Sequence, residues 1–200
     1  MAEVYVFFAD GFEEIEGLTV VDLLRRAKVP VHMVSIQGKQ AKGSHGIVIE
    51  TEIGIAEVSE QIGDYLVLPG GMPGTKHLAA CEALREKLLA AEKKGVHLAA
   101  ICAAPSVFGN LGLLEGKKAV CYPGFEDQLK GAVTGTEEVA VDGMITTSRG
   151  MGTAIAFGLE LIRQIKDRLD RMELETILSS GYVRPFLETS RPSLFDTIST

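Results

Sequence analysis

Cysteine is scarce: Cys81, Cys102 and Cys121 are the only three in 200 residues. So small and odd a number argues against a disulfide framework and leaves room for a reactive thiol. Positive charge is also in deficit, with 20 Lys and Arg against 27 Asp and Glu and a formal charge of -7. No general cationic field is present to draw in nucleic acid or anionic lipid. Long apolar runs are missing as well. The longest, such as Val96 to Cys102, fall far short of the roughly 18 residues a bilayer span takes. The N-terminus reads at once as a strand, not as a basic region followed by an apolar signal. These absences predict a cytoplasmic protein with no membrane or nucleic-acid partner. No CxxC, HxxxH or HExxH spacing suggests a metal site, and no GKS or GKT sequence makes the glycines a phosphate loop.

What is present is a globular balance of 46% hydrophobic and 24% charged residues, in a length that fits one domain. Val4 to Ala9, Val29 to Ile36, Tyr65 to Leu68 and Val96 to Ile101 are short, nearly continuous apolar runs rich in β-branched residues. Strands buried on both faces of a parallel sheet have this character. Helical periodicity separates them, through Ile15, Leu18, Val21, Leu23 and Leu24, then Leu84, Leu88, Leu89 and Ala91, with a further helix from about Thr153 to Ile165. Val139 to Val141, Asp142-Gly143 and Met144 to Thr147 read as a hairpin. The order predicts an α/β sandwich of three layers, a mostly parallel sheet with helices on both faces. One domain is expected over residues 1–180, with 181–200 an extended tail of unassigned role.

Ligand sites in open α/β sheets lie beyond the carboxyl ends of the strands. The loops there are Asp10 to Glu16, Pro69-Gly70-Gly71-Met72-Pro73-Gly74, Cys102-Ala103-Ala104-Pro105 and Ser148-Arg149-Gly150-Met151-Gly152. Cys102 ends an apolar run and precedes a helix suggested by Val107, Phe108 and Leu111, the arrangement of a nucleophile elbow. That helix N-terminus is expected to lower the thiol pKa. Gly70 and Gly71 let backbone amides approach a ligand and, with the amide of Ala103, form an oxyanion hole facing the sulfur. Of Glu13, Glu14 and Glu16, helical spacing turns Glu16 inward, where burial and a thiolate would keep it protonated and make it a general acid or base. The other two are explained by the helix dipole. His45 and His77 could reach the mouth of the site, whereas His32 and His97 fall on strands.

Together GFEEIE, YLVLPGG, AAICAAP and TTSRGMGTA resemble the ThiJ/PfpI superfamily, most of all the YajL-like branch that includes the Parkinson-disease-linked protein deglycase. The match runs in order over roughly residues 3 to 170. The resemblance implies a flavodoxin-like sandwich, a homodimer, a reactive elbow cysteine at Cys102, a contacting glutamate at Glu16, and oxyanion amides at Gly71 and Ala103. One departure is Tyr122, which stands before Pro123 where the branch often has histidine. A Cys–His dyad of that kind is thereby lost, although a tyrosine hydroxyl could orient a substrate. The tail, longer than usual, is a second departure.

The resemblance further implies glutathione-independent glyoxalase or deglycase chemistry on small aldehydes such as methylglyoxal and glyoxal, or on their early adducts, with neither cofactor nor metal. The alternative is a redox-sensing, stress-protective or chaperone protein that uses oxidation of the same thiol. A peptidase or other hydrolase ranks last, since acylation by an amide needs an imidazole to protonate the leaving nitrogen. Dimerisation through the first helix is also expected from the width of its apolar face.

Overall fold

The computed structural model describes residues 2–59 and 63–166. Its first half runs β1 (Val4–Phe8), α1 (Glu14–Arg26), β2 (Val31–Ser35), β3 (Gln40–Lys42), β4 (Val48–Glu50), β5 (Ile53–Gly54) and β6 (Tyr65–Leu68). Then come α2 (Gly74–Ala80), α3 (Glu82–Lys93), β7 (His97–Ile101), α4 (Pro105–Asn110), β8 (Lys118–Ala119), β9 (Val133–Thr134), β10 (Val139–Asp142), β11 (Ile145–Ser148) and α5 (Ala154–Ile165).

Seven strands form the central sheet in the order β10-β11-β7-β6-β1-β2-β5. Every pairing is parallel except β10 with β11, the hairpin turned by Asp142-Gly143. β1 and β6 are buried at every position, which explains their unbroken apolar runs: helices cover both faces, so neither set of alternate residues meets water. Tyr5, Phe7 and Ala9 pack with Leu66, Leu68, Leu78, Leu84, Leu88 and Phe108, on the side of α2, α3 and α4. The opposite face carries Phe8, whose ring leaves room only for the hydrogen of Gly17 on α1. The three-layer, flavodoxin-like α/β sandwich is thus the fold.

Helix α1 places Glu14 and Glu16 in its first turn and Arg25 and Arg26 in its last, the arrangement a helix dipole favours. Its Val20, Val21, Leu23 and Leu24 are all buried within the chain. It packs on α5, where an added Cβ at Gly158 would come within 2.7 Å of Leu23 Cδ1. Leu18 is only partly buried and Ile15 is 49% exposed, so part of the apolar surface of the helix is left uncovered by the chain itself. Four features escape the sequence pattern: the β3–β4 hairpin, the two-residue β5, the seven-residue α2, and the short β8–β9 pair. Each is too brief for a period to show.

The chain divides into one unit over residues 1–165 and another from Lys166 onward. The expected domain limit at residue 180 and the tail 181–200 lie outside the described residues. Among the described residues, no helix is long and apolar enough to cross a membrane.

Candidate active site

Chain reversals after β1, β6, β7 and β11 converge on one rim of the sheet. Cys102 follows β7 with φ of +66°, a left-handed conformation that a non-glycine residue seldom adopts. The surroundings hold it there. Its amide donates to the Ser148 carbonyl (2.9 Å) and its own carbonyl accepts from the Tyr122 amide (2.8 Å). Backbone strain retained in this way is common where a side chain must be aimed. The elbow turns the thiol toward the glycine loop and the Glu16 carboxyl, and the amides of Gly71 and Ala103 donate to the sulfur.

Gly70 is where the parts touch. A Cβ there would lie 2.6 Å from Cys102 Cβ, 2.6 Å from Glu16 Oε2 and 2.9 Å from the Ile101 carbonyl oxygen. Its amide donates to Glu16 Oε2 (3.0 Å), and its carbonyl accepts from the Glu13 amide (2.9 Å), tying the first turn of α1 to the loop. Gly71, at φ of +93°, packs against Gly11, Phe12 and Glu13 so closely that no side chain fits.

Glu16 is only 1% exposed and hydrogen-bonds Cys102. Burial pushes its carboxyl up to about 7, aided by the charge of Glu13 and opposed by its bonds to Cys102 and Gly70. The Cys102 thiol is pushed up to about 12 by burial, by the charge of Glu16 and by the hydrogen bond between them. The Gly71 and Ala103 amides pull the other way and are outweighed. This corrects the expectation of a thiol pKa lowered by a helix N-terminus: α4 has just six residues and begins three positions after Cys102. The two acids titrate as a pair, losing a first proton near neutrality and a second only in strong alkali, because two negative charges cannot share so small a dry space. Above neutrality the pair holds one proton, with Glu16 placed to take it from sulfur.

Tyr122 is half exposed at the rim. With Pro123, Glu138, Arg149, Gly150 and Met151 it lines a cleft of about 390 Å³. Gly150 connects cleft and pair, since a Cβ there would sit 3.3 Å from the Tyr122 ring and 3.8 Å from Glu16 Oε1. His45 is not brought to the sulfur. Its Nδ1 lies 2.9 Å from Glu14 Oε2 and 3.7 Å from Glu13 Oε2. His77 is held by the Asp10 carbonyl (2.7 Å), and His32 and His97 stack on Tyr5 and Tyr65. Cys121 is buried, its thiol pushed up to about 11 by burial and by Glu126. Glu14, for which the helix dipole alone is a sufficient explanation in the sequence, is only 5% exposed. Its partners sit on the unforeseen β3–β4 hairpin. The nearest ligand-type atoms of Glu13, Glu14 and His45 lie within 4.8 Å of one another.

Residues 2–164 match the DJ-1/PfpI family. The DJ-1 homolog B of Arabidopsis thaliana is 35% identical over 86% of this chain, which spans 40% of that relative's length. A Thermococcus kodakarensis protein named a deglycase is 30% identical over 82% of this chain and 99% of its own. The solved structure of oxidized Toxoplasma gondii DJ-1 superposes with a TM-score of 0.83 at 35% identity, covering 88% of this chain and 96% of that one.

Proposed function

The chain belongs to the DJ-1/PfpI family, and on that premise we propose that it is a cysteine-dependent, glutathione-independent glyoxalase or deglycase-type enzyme acting on methylglyoxal, glyoxal or their early adducts. The observation that carries this reading is the Cys102–Glu16 pair: a thiol beside a carboxyl whose pKa of about 7 suits a proton carrier at neutral pH. The deglycase name of the Thermococcus relative supports it.

The arrangement of these groups supports the following steps for methylglyoxal. Glu16 takes the thiol proton as sulfur bonds to the aldehyde carbon, and the carbonyl electrons move to oxygen. The amides of Gly71 and Ala103 hold that oxyanion. Glu16 then returns the proton to oxygen, giving a hemithioacetal. As a carboxylate again, it removes the hydrogen from the former aldehyde carbon, and an enediol forms. Delivery of that proton to the adjacent carbon, while the hydroxyl proton on the first carbon passes to the second oxygen, leaves a thioester of lactate. Water cleaves the thioester into lactate and free Cys102 thiol, so methylglyoxal and water give lactic acid with no net oxidation. Tyr122, on the cleft side of Gly150, orients the substrate's second carbonyl. The same site in a homodimer is part of this proposal, as is a cytoplasmic location.

Incubation of the protein with methylglyoxal and no glutathione should yield one lactate for each aldehyde consumed. Aldehyde loss without lactate would mean that the thiol only captures the substrate. A second reading has its own support. The donors around the sulfur also suit a sulfinate, to which a protonated Glu16 can donate, and the Toxoplasma relative was solved in an oxidized form. Peroxide sensing then uses the same Cys102.

A further inference from the structure

Opposite the sulfur, the first turn of α1 is held by a hairpin that the proposed reaction does not use. The β3–β4 loop lays Ser44 and His45 across Glu13 and Glu14. The His45 amide donates to Glu14 Oε1 (2.8 Å), its Nδ1 to Glu14 Oε2 (2.9 Å), and Ser44 Oγ reaches Glu14 Oε2 (3.2 Å) and Glu13 Oε2 (3.3 Å). The Ser44 amide donates to the Phe12 carbonyl (2.8 Å), and Gly43 leaves no room for a Cβ beside the Glu14 carboxylate. From Glu13 the contact continues to the Gly70 carbonyl, and Gly70 contacts Glu16 and Cys102.

We propose that His45 is a positioning residue that clips the first turn of α1 through Glu13 and Glu14 and offsets their negative charge beside the Cys102–Glu16 pair. The role rests on the reading of that pair as the reactive centre. The charged groups acting on the imidazole are Glu13, the N-cap of α1, and Glu14 in its first turn, and they raise its pKa, so it carries positive charge more readily than an ordinary histidine. Of the other titratable groups on the adjoining elements, Asp10 accepts from the Lys42 amide (2.8 Å) and His77 is bound to the Asp10 carbonyl (2.7 Å). Glu14 in return is held down at about 2 by its bonds to His45 and Ser44, which outweigh its burial. Glu13 is the acid whose charge raises Glu16. On this proposal, loss of the His45 charge leaves Glu13 uncompensated and moves the first deprotonation of the pair to higher pH.

The test uses the rate of Cys102 alkylation by iodoacetamide against pH, which reads the thiol without any aldehyde. His45→Asn keeps a hydrogen-bond donor and removes the charge, and the side chain is 70% exposed, so the core is untouched. Its midpoint should move up by about half a unit, the size expected of one charge acting over several ångströms in a wet surface, slowing alkylation about threefold below the midpoint. Glu13→Gln should move the midpoint down. A wild-type midpoint in His45→Asn, with or without a uniform drop in rate, overturns the role, since a structural contact alone changes rate at all pH values alike. Absence of lactate formation in the wild type would overturn the proposed reaction and leave this shift standing.

Discussion

Glu16→Gln is expected to lower lactate formation from methylglyoxal by about 10²- to 10⁴-fold, the range a positioned general acid or base contributes. The substitution is nearly isosteric. A glutamine oxygen can still accept from the Gly70 amide, as Glu16 Oε2 does at 3.0 Å, so the loop keeps its anchor. What disappears is the proton carrier with a pKa of about 7. The sign of the pH dependence follows. The wild-type rate rises as pH passes through that value, because Glu16 must be ionised to take the thiol proton, and it is lost on the acid side. In the glutamine variant the rise near neutrality should vanish. Rates of wild type and variant between pH 5 and 9 check this, and an unchanged profile would remove Glu16 from the reaction.

Gly70→Ala should be nearly as damaging, for a steric reason. The new methyl would stand 2.6 Å from both Cys102 Cβ and Glu16 Oε2 and 2.9 Å from the Ile101 carbonyl oxygen, and two of these neighbours are rigid parts of the elbow. Relief requires the elbow and the first turn of α1 to separate. Overpacking of this kind costs about 1–3 kcal/mol, and the thermal midpoint should fall about 2–4 °C for each kcal/mol in a domain of this size. Turnover should fall about 10²-fold, as it does when reacting groups are displaced by an ångström. Thermal unfolding with a lactate assay on the same preparation measures both, and wild-type values in both would show that the loop is not packed this tightly.

The strands of the central sheet were legible because burial on two faces writes an unbroken apolar run, as in Val4–Phe8 and Tyr65–Leu68, and the Asp142-Gly143 turn marks its own hairpin. The β3–β4 hairpin was not. Each strand has three residues, and only Ala41 among Gln40–Lys42 is buried. That omission hides the partners of Glu14, and with them the bonds of His45 to Glu14 at the start of α1. The positions of Cys102, Glu16, Gly70 and Gly71 could be read because they follow strands at one rim. The direction of the thiol's pKa could not. Sequence spacing gives the nearby amides but not the depth of burial or the distance to the neighbouring carboxyl, and at Cys102 those two effects dominate.

In the proposed reaction Cys102, beside Glu16, makes and breaks the bond to the aldehyde carbon. The most direct measurement compares the wild type with Cys102→Ser, each given methylglyoxal without glutathione at pH 7.5, by following lactate. Serine keeps the size of the side chain and its hydrogen-bonding capacity, but its hydroxyl is a far weaker acid and nucleophile than a thiol. Lactate from the wild type and none above background from Cys102→Ser is the expected result. Equal rates from the two proteins would contradict it.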